Sequence, residues 1–289
     1  MAGVIPPDIR DRICQTIREL IIEKIESRHS RRRTYSVFHQ ALFPNPLLKA
    51  WEFERTVSTA LGNSFQTVAK LLAQSSGLYQ HVSLQSKIAG WVSNAARATI
   101  DAVINKLRRK GMTGFRERFT DLAQKVAAAY HGNEYDHTKS SQKENRVVNG
   151  TKVEIIIDLY LRRKNGEELF FEMKSPLPNK DQCVATTEKL LLVHAIRKAS
   201  HPQVQTYYAM PFNPFERAEP SGSSRASYKH SIAQKYLDLE RQVLIGNEFW
   251  DLLAGPGTYR ELIDLYKQVG QRIRSKVLKV IGFRGLKKQ

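Results

Sequence analysis

The chain has 289 residues, with 46 Lys or Arg against 28 Asp or Glu, a formal charge of +18 with histidine neutral. That length bounds it to one large domain or two small ones, and 41% hydrophobic content excludes a chain disordered throughout. Two cysteines, Cys14 and Cys183, exclude a disulfide scaffold and lack metal-ligand spacing. No apolar run approaches the roughly 20 residues that span a bilayer, and the start, MAGVIPPDIRDRI, lacks a basic stretch followed by an apolar one. The expectation is a soluble cytoplasmic protein with no membrane partner.

Asp8 follows Pro6-Pro7 and can cap a helix. Ile9, Ile13, Ile17, Ile21 and Ile25 then recur at spacing four, which predicts an amphipathic helix over 8–29. Pro44 and Pro46 mark a loop. Residues 49–75 read as a helix with Phe53, Val57, Leu61, Val68, Leu71 and Leu72 on its apolar side, ended by Ser-Ser-Gly at 75–77. Residues 83–110 and 114–131 read as two more helices broken at Gly111. The polar stretch 131–150 has no sustained periodicity and reads as a loop or an arm that orders on a ligand. TKVEIIIDLYLRR, the turn signal KNGE and LFFEMK then predict a β-hairpin. DQCVATTEKLLLVHAIRKA reads as a helix and QVQTYYAM as a strand, so a strand–helix–strand crossover makes that part of the sheet parallel or mixed. A Pro/Gly/Ser-rich loop follows, and 229–253 and 258–281 read as helices.

The fold class expected is α/β or α+β, a small mixed sheet flanked by many helices. Four parts follow: a mainly helical part at 1–130 that lends a helix to the core, the polar loop at 131–150, a hairpin–helix–strand core at 151–215, and a helical part with a basic tail at 216–289.

The positive excess favours a polyanionic partner, nucleic acid before an acidic membrane surface. Three clusters stand out: Arg31, Arg32 and Arg33; Lys106, Arg108, Arg109 and Lys110; and the seven basic groups of 271–289, a stretch with no acid. Cations favour a helix C-terminus, which accounts for the second cluster alone. A phosphate-binding GxxxxGK[ST] loop and a GxSxG elbow are both absent.

Asp158 on the first hairpin strand, and Glu172 and Lys174 on the second, are the chemistry-bearing residues. Carboxylates on apolar strands are costly to desolvate without a partner. Two that converge are suited to a divalent cation, and in a basic protein that points to phosphodiester chemistry. The alternative is an exposed position for both acids, with Lys174 as a cross-strand ion pair.

D-x13-E-x-K on adjacent strands, followed by a helix and a strand, resembles the PD-(D/E)xK nuclease core. FEMKSPLPNKDQ, TTEKLLL, YYAMPFNPFE and GNEFWDLLAGPGTYRELIDLYKQVG are similar to the TdeIII-like type II restriction endonucleases, as is FERTVSTALGNSFQTVAKLLA upstream. The resemblance covers about 50–75 and 151–270. It implies a Mg2+-dependent endonuclease that cuts a short GG-N-CC type palindrome in double-stranded DNA, acts as a homodimer, and is paired in function with a cognate DNA methyltransferase. It makes Asp158 and Glu172 metal ligands and Lys174 the catalytic lysine, and suggests a glutamate from an early helix, Glu54 or alternatively Glu52, as a further ligand. Two other classes stay open: a PD-(D/E)xK enzyme of repair or recombination, and a non-catalytic nucleic-acid-binding protein.

A shared metal site constrains the hairpin. A two-residue Asn165-Gly166 turn pairs Asp158 with Met173 and turns Glu172 and Lys174 to the other face. A three-residue loop, Asn165-Gly166-Glu167, pairs Asp158 with Lys174 and restores a common face. The expectation is therefore a three-residue loop, with Gly166 at positive φ, or a one-residue bulge near Asp158.

Overall fold

A computed structural model describes residues 4–29, 36–131, 150–197, 203–216 and 224–281. All but the two end residues of the expected polar arm at 131–150, the arginine cluster at 31–33, the middle of the Pro/Gly/Ser-rich loop and the end of the basic tail lie outside the described residues.

Helix α1 (Pro7–His29) follows the isoleucine spacing. Ile9, Ile13, Ile17, Ile21 and Ile25 are all buried, each contributing roughly 1.5–3 kcal/mol of burial. A short helix, α2 (Val37–Leu42), was not foreseen and buries none of its residues. Helix α3 (Asn45–Ser75) starts four residues earlier than expected because Pro44 caps it and Pro46 fits its first turn.

The next stretch departs from expectation. Residues 83–110 are not one helix: strand β1 (Tyr79–Ser93) comes first and helix α4 (Asn94–Lys110) follows. Leu84, Ile88 and Val92 stand four apart, which is both one helical repeat and two strand repeats. The boundary is set by Ser93, whose hydroxyl accepts from Ala96 N–H at 3.1 Å as a helix N-cap. Helix α5 (Phe119–His131) starts five residues later than expected, and strands β2 (Gly150–Arg163) and β3 (Glu168–Met173), helix α6 (Lys180–Arg197) and strand β4 (Val204–Met210) lie where expected.

Residues 229–253 are not one helix either. Helix α7 (Ser231–Tyr236), strand β5 (Val243–Ile245) and helix α8 (Asn247–Ala254) share that range, and α9 (Thr258–Ile281) follows. The run Val243-Leu244-Ile245 has the β-branched character of a strand. Gly246, at φ +52°, turns the chain into α8.

The five strands lie in the order β1-β2-β3-β4-β5. The first three pair antiparallel; β3, β4 and β5 pair parallel. Helices cover both faces. One core joins α4, α5 and α6 to Ile88, Ile157, Phe170, Tyr208 and Met210. The other joins α1, α3, α8 and α9 to Leu159, Leu161, Leu169, Phe171 and Ala209. Helix α6 lies against the centre of the sheet, with Cys183, Val184, Thr186, Thr187 and Leu190 to Ile196 all buried, as a helix apolar around most of its girth requires. It comes so close to β1 that a Cβ on Gly90 would stand 2.5 Å from Ile196 Cγ2.

The β1–β2 ribbon changes sides along its length. Val82, Leu84, Leu159 and Leu161 pack with α1 and α3, whereas Ile88, Val92, Ile155 and Ile157 pack with α4 and α6. On β2 the apolar residues keep odd numbers through this change, yet the face they serve switches between Ile157 and Leu159. Strict alternation would keep both on one side. The switch falls at Asp158 and at Gln85, which lies between Leu84↔Leu159 and Ser86↔Ile157 in the ladder.

Candidate active site

The hairpin loop has three residues. Arg163 N–H donates to Glu167 O at 2.8 Å, and Gly166 N–H to Arg163 O at 3.0 Å. The loop is therefore Lys164-Asn165-Gly166, with Gly166 at φ +87°. This is a turn followed by a left-handed residue, the common three-residue solution. The expected parity holds, but the loop sits one residue earlier than expected. Leu159 pairs with Phe171, Tyr160 with Phe170, Leu161 with Leu169 and Arg162 with Glu168. Continuing that ladder puts Asp158 opposite Glu172, not Lys174, with all three on one face.

Asp158 also ends the β2–β3 backbone ladder. Its Oδ2 accepts from Met173 N–H at 2.8 Å, in place of a backbone carbonyl. Its Oδ1 accepts from Gln85 Nε2 at 3.1 Å. Asp158 is 9% exposed and Glu172 3%. Two carboxylates at cross-strand distance, about 5 Å, repel by about 3 kcal/mol at an effective dielectric near 20. Cations must offset this, and two lysines do. Lys174 Nζ lies 2.7 Å from Glu172 Oε1 and 3.9 Å from Asp158 Oδ2. Lys189 Nζ, from α6, lies 2.6 Å from Glu172 Oε2. The exposed ion-pair alternative therefore fails: the lysine pairing is present, but both acids are buried.

The strand exit holds Lys174 in place. Lys174 N–H still donates to Ala209 O of β4 at 3.0 Å. Pro176 then stops the strand, and its carbonyl accepts from Tyr228 O–H at 2.6 Å. Lys174 and Ser175 open onto a cleft walled by Ser58, Gly62 and Gln66 of α3 and by Phe212. Beside the site, Tyr208 pairs with Glu172 across β3–β4. Burial holds its phenol well above the usual tyrosine range, and Cys183, Tyr228 and the Glu172 charge push the same way.

The donor set suits a hard divalent cation. Two buried carboxylates supply oxygen donors, and the Lys174 ammonium occupies the position between them where positive charge is needed. Among the described residues no group of three or more His, Cys, Asp or Glu side chains forms a metal cluster, so protein oxygens would supply only part of a coordination shell. Glu54 does not join the group. It is exposed, and its Oε1 accepts from Ser58 O–H at 2.6 Å. It lies on the α3 stripe that runs through Ser58 and Gly62 to Gln66, twelve residues or about 18 Å from Gln66. Glu52 is half-buried on the same early turn.

Sequence reasoning missed three polar neighbours. Lys189 carried a signal, as the single lysine in the run VATTEKLLLVHAI. Gln85 and Gln66, joined at 3.0 Å, carried none, because the region of Gln85 read as a helix.

A family model described as type II restriction endonuclease, HinfI, matches residues 5–270. The type II restriction enzyme HgiCII of Herpetosiphon aurantiacus is 34% identical over 243 residues, 84% of this chain and 80% of that protein. HgiBI and HgiEI of the same organism are 35% identical over 236 residues, 81% of this chain and 76% of each. Among the described residues no helix is long and apolar enough to cross a membrane. The resemblance read from the sequence holds at the level of type II restriction enzymes, although the matching model is HinfI and not TdeIII. The chain belongs to the HinfI family of type II restriction endonucleases.

Proposed function

We propose that this enzyme cleaves both strands of duplex DNA by Mg2+-dependent phosphodiester hydrolysis, with Asp158, Glu172 and Lys174 as a PD-(D/E)xK site. The observation that carries this reading is the opposition of two buried carboxylates with Lys174 Nζ reaching toward both. Asp158 and Glu172 would hold the ion. When bound, it would offset charge on the scissile phosphate and lower the pKa of attacking water. Lys174, one-third exposed at the cleft, can donate to the attacking water or to a phosphate oxygen. Lys189, bound to Glu172 Oε2 at 2.6 Å, would help to aim this carboxylate. Glu54 and Glu52 are not needed as ligands in this arrangement.

The net charge of +18 supplies phosphate contacts, so affinity should fall steeply with salt. A short palindromic target of GG-N-CC type, as the TdeIII-like resemblance suggests, calls for a twofold homodimer. A cognate methyltransferase would protect the host's own sites.

The test is incubation of the protein with a sequenced plasmid and Mg2+, followed by end mapping. Discrete ends at one repeated palindrome support the reading. Cleavage that follows DNA structure and ignores sequence would favour a repair or recombination nuclease. No cleavage with Mg2+ by the folded protein would sink it.

A further inference from the structure

The geometry points to Gln85 as the positioning residue that sets the carboxylate of Asp158; this rests on the proposal that Asp158 is a metal ligand. Gln85 stands in the middle of β1 with φ +49°, and among the described residues it is the one non-glycine at positive φ. A strand residue ordinarily sits near −120° to −140°, and a left-handed backbone is unfavourable for any residue with a Cβ. Glycine would take this conformation freely. Burial does not explain a glutamine here, because Gln85 is exposed.

Its polar contacts do explain it. Nε2 donates to Asp158 Oδ1 at 3.1 Å and to Gln66 Oε1 at 3.0 Å. The other Asp158 oxygen is fixed by Met173 N–H, so both oxygens of this carboxylate are held by fixed donors. The left-handed kink falls where β1 and β2 exchange faces. It lets one strand leave the α3 core for the α6 core while its side chain reaches across to Asp158. Gln66 then ties that amide to α3, the wall of the cleft. Backbone strain held by its surroundings at a site is a known way of presetting geometry. Outer partners that orient a metal-binding carboxylate are worth about 10–100-fold in metal affinity.

The test uses Gln85→Gly, which removes the amide and relieves the backbone. Mn2+ binding is followed by electron paramagnetic resonance on the full-length enzyme with a duplex carrying its mapped site. Thermal midpoint and the Mg2+ concentration for half-maximal cleavage are measured alongside. The expected result is Mn2+ binding weakened about tenfold, half-maximal Mg2+ raised by a similar factor, and a thermal midpoint at or above the parent's. Gln66→Ala should shift both metal readouts the same way by less. Mn2+ binding by Gln85→Gly equal to the parent's overturns the inference. So does weaker binding that comes with a lower thermal midpoint, because that marks a structural role alone. If the parent and Asp158→Asn bind Mn2+ alike, it is the assignment of Asp158 as a ligand that fails.

Discussion

Glu168 and Glu172 stand four residues apart on β3, on the same face, and each is 3% exposed. Their surroundings differ. Glu168 is enclosed: the Tyr160 hydroxyl donates to its Oε1, Arg197 Nε lies 3.8 Å from its Oε2, and Tyr160 stacks on Phe170 at 4.8 Å between ring centres. Glu172 has a second carboxylate opposite it and two lysines whose side chains are 34% and 27% exposed. One buried glutamate is locked by a phenol and a guanidinium into the sheet's own packing. The other is balanced by cations that solvent or a phosphate can reach. Burial of an acid on a strand does not by itself mark a candidate site; the neighbouring acid and the accessible cations are what set Glu172 apart from Glu168.

The largest expected effect separates the two directly. Glu172→Ala, Asp158→Ala and Lys174→Ala should each lower the cleavage rate at least about a thousandfold, the equivalent of about 4 kcal/mol. Duplex binding should remain, because the basic surface carries it. Glu168→Gln should keep cleavage within a few-fold and lower unfolding stability by about 2–3 kcal/mol, since Arg197 and Tyr160 lose a charged partner. Cleavage rates beside urea unfolding curves decide it. A folded Glu168→Gln protein without activity would erase the distinction.

The cations give the next contrast. Lys189→Ala should slow cleavage about 10–100-fold by loosening Glu172. Arg197→Ala should act on stability with cleavage nearly unchanged. Equal loss of activity in both would mean that α6 acts through its overall placement and not through Lys189. Glu54→Gln is expected to change cleavage less than about twofold and stability by less than about 0.5 kcal/mol, as for exposed positions away from a site. A tenfold loss in a competitive cleavage assay would restore Glu54 as a ligand.

Much of this site was legible because strand parity is a strict rule. Asp158, Glu172 and Lys174 can share a face only if the hairpin loop has an odd number of residues or a strand is bulged, and the loop has three. The exact register was not legible. Loops 164–166 and 165–167 both place Gly166 in a usable position, and only the Arg163–Glu167 pairing selects between them. The β1 strand was hidden because a spacing of four serves helix and strand alike, and with it went Gln85. The β5 strand was hidden because three residues are too few to show a period against the helices on either side. Lys189 required the fold: nothing local says that α6 presents its one mid-helix lysine to Glu172, 17 residues earlier in the chain.

The smallest effect concerns the closed end of the comparison. Burial, then the hydrogen bond to Glu168 and the Glu168 charge, push the Tyr160 phenol up from 10.0 to about 12. The fold therefore holds this proton more tightly than the unfolded chain does. Its contribution to stability is complete below about pH 10. It is lost as pH rises toward about 12, because the unfolded state gives up the proton first. Tyr160→Phe should be less stable by about 1–3 kcal/mol at pH 8, where Glu168 has lost its donor. It should then lose less stability than the parent between pH 10 and 12. Other buried phenols, among them Tyr208, Tyr228 and Tyr266, are raised as well and steepen the alkaline limb of both proteins. The difference between the two unfolding series is thus the quantity to read. A gap between them that stays constant from pH 8 to pH 12 would show that Glu168 does not hold the Tyr160 proton. Cleavage by Tyr160→Phe at pH 8 should match the parent, since neither partner touches Asp158, Glu172 or the cleft.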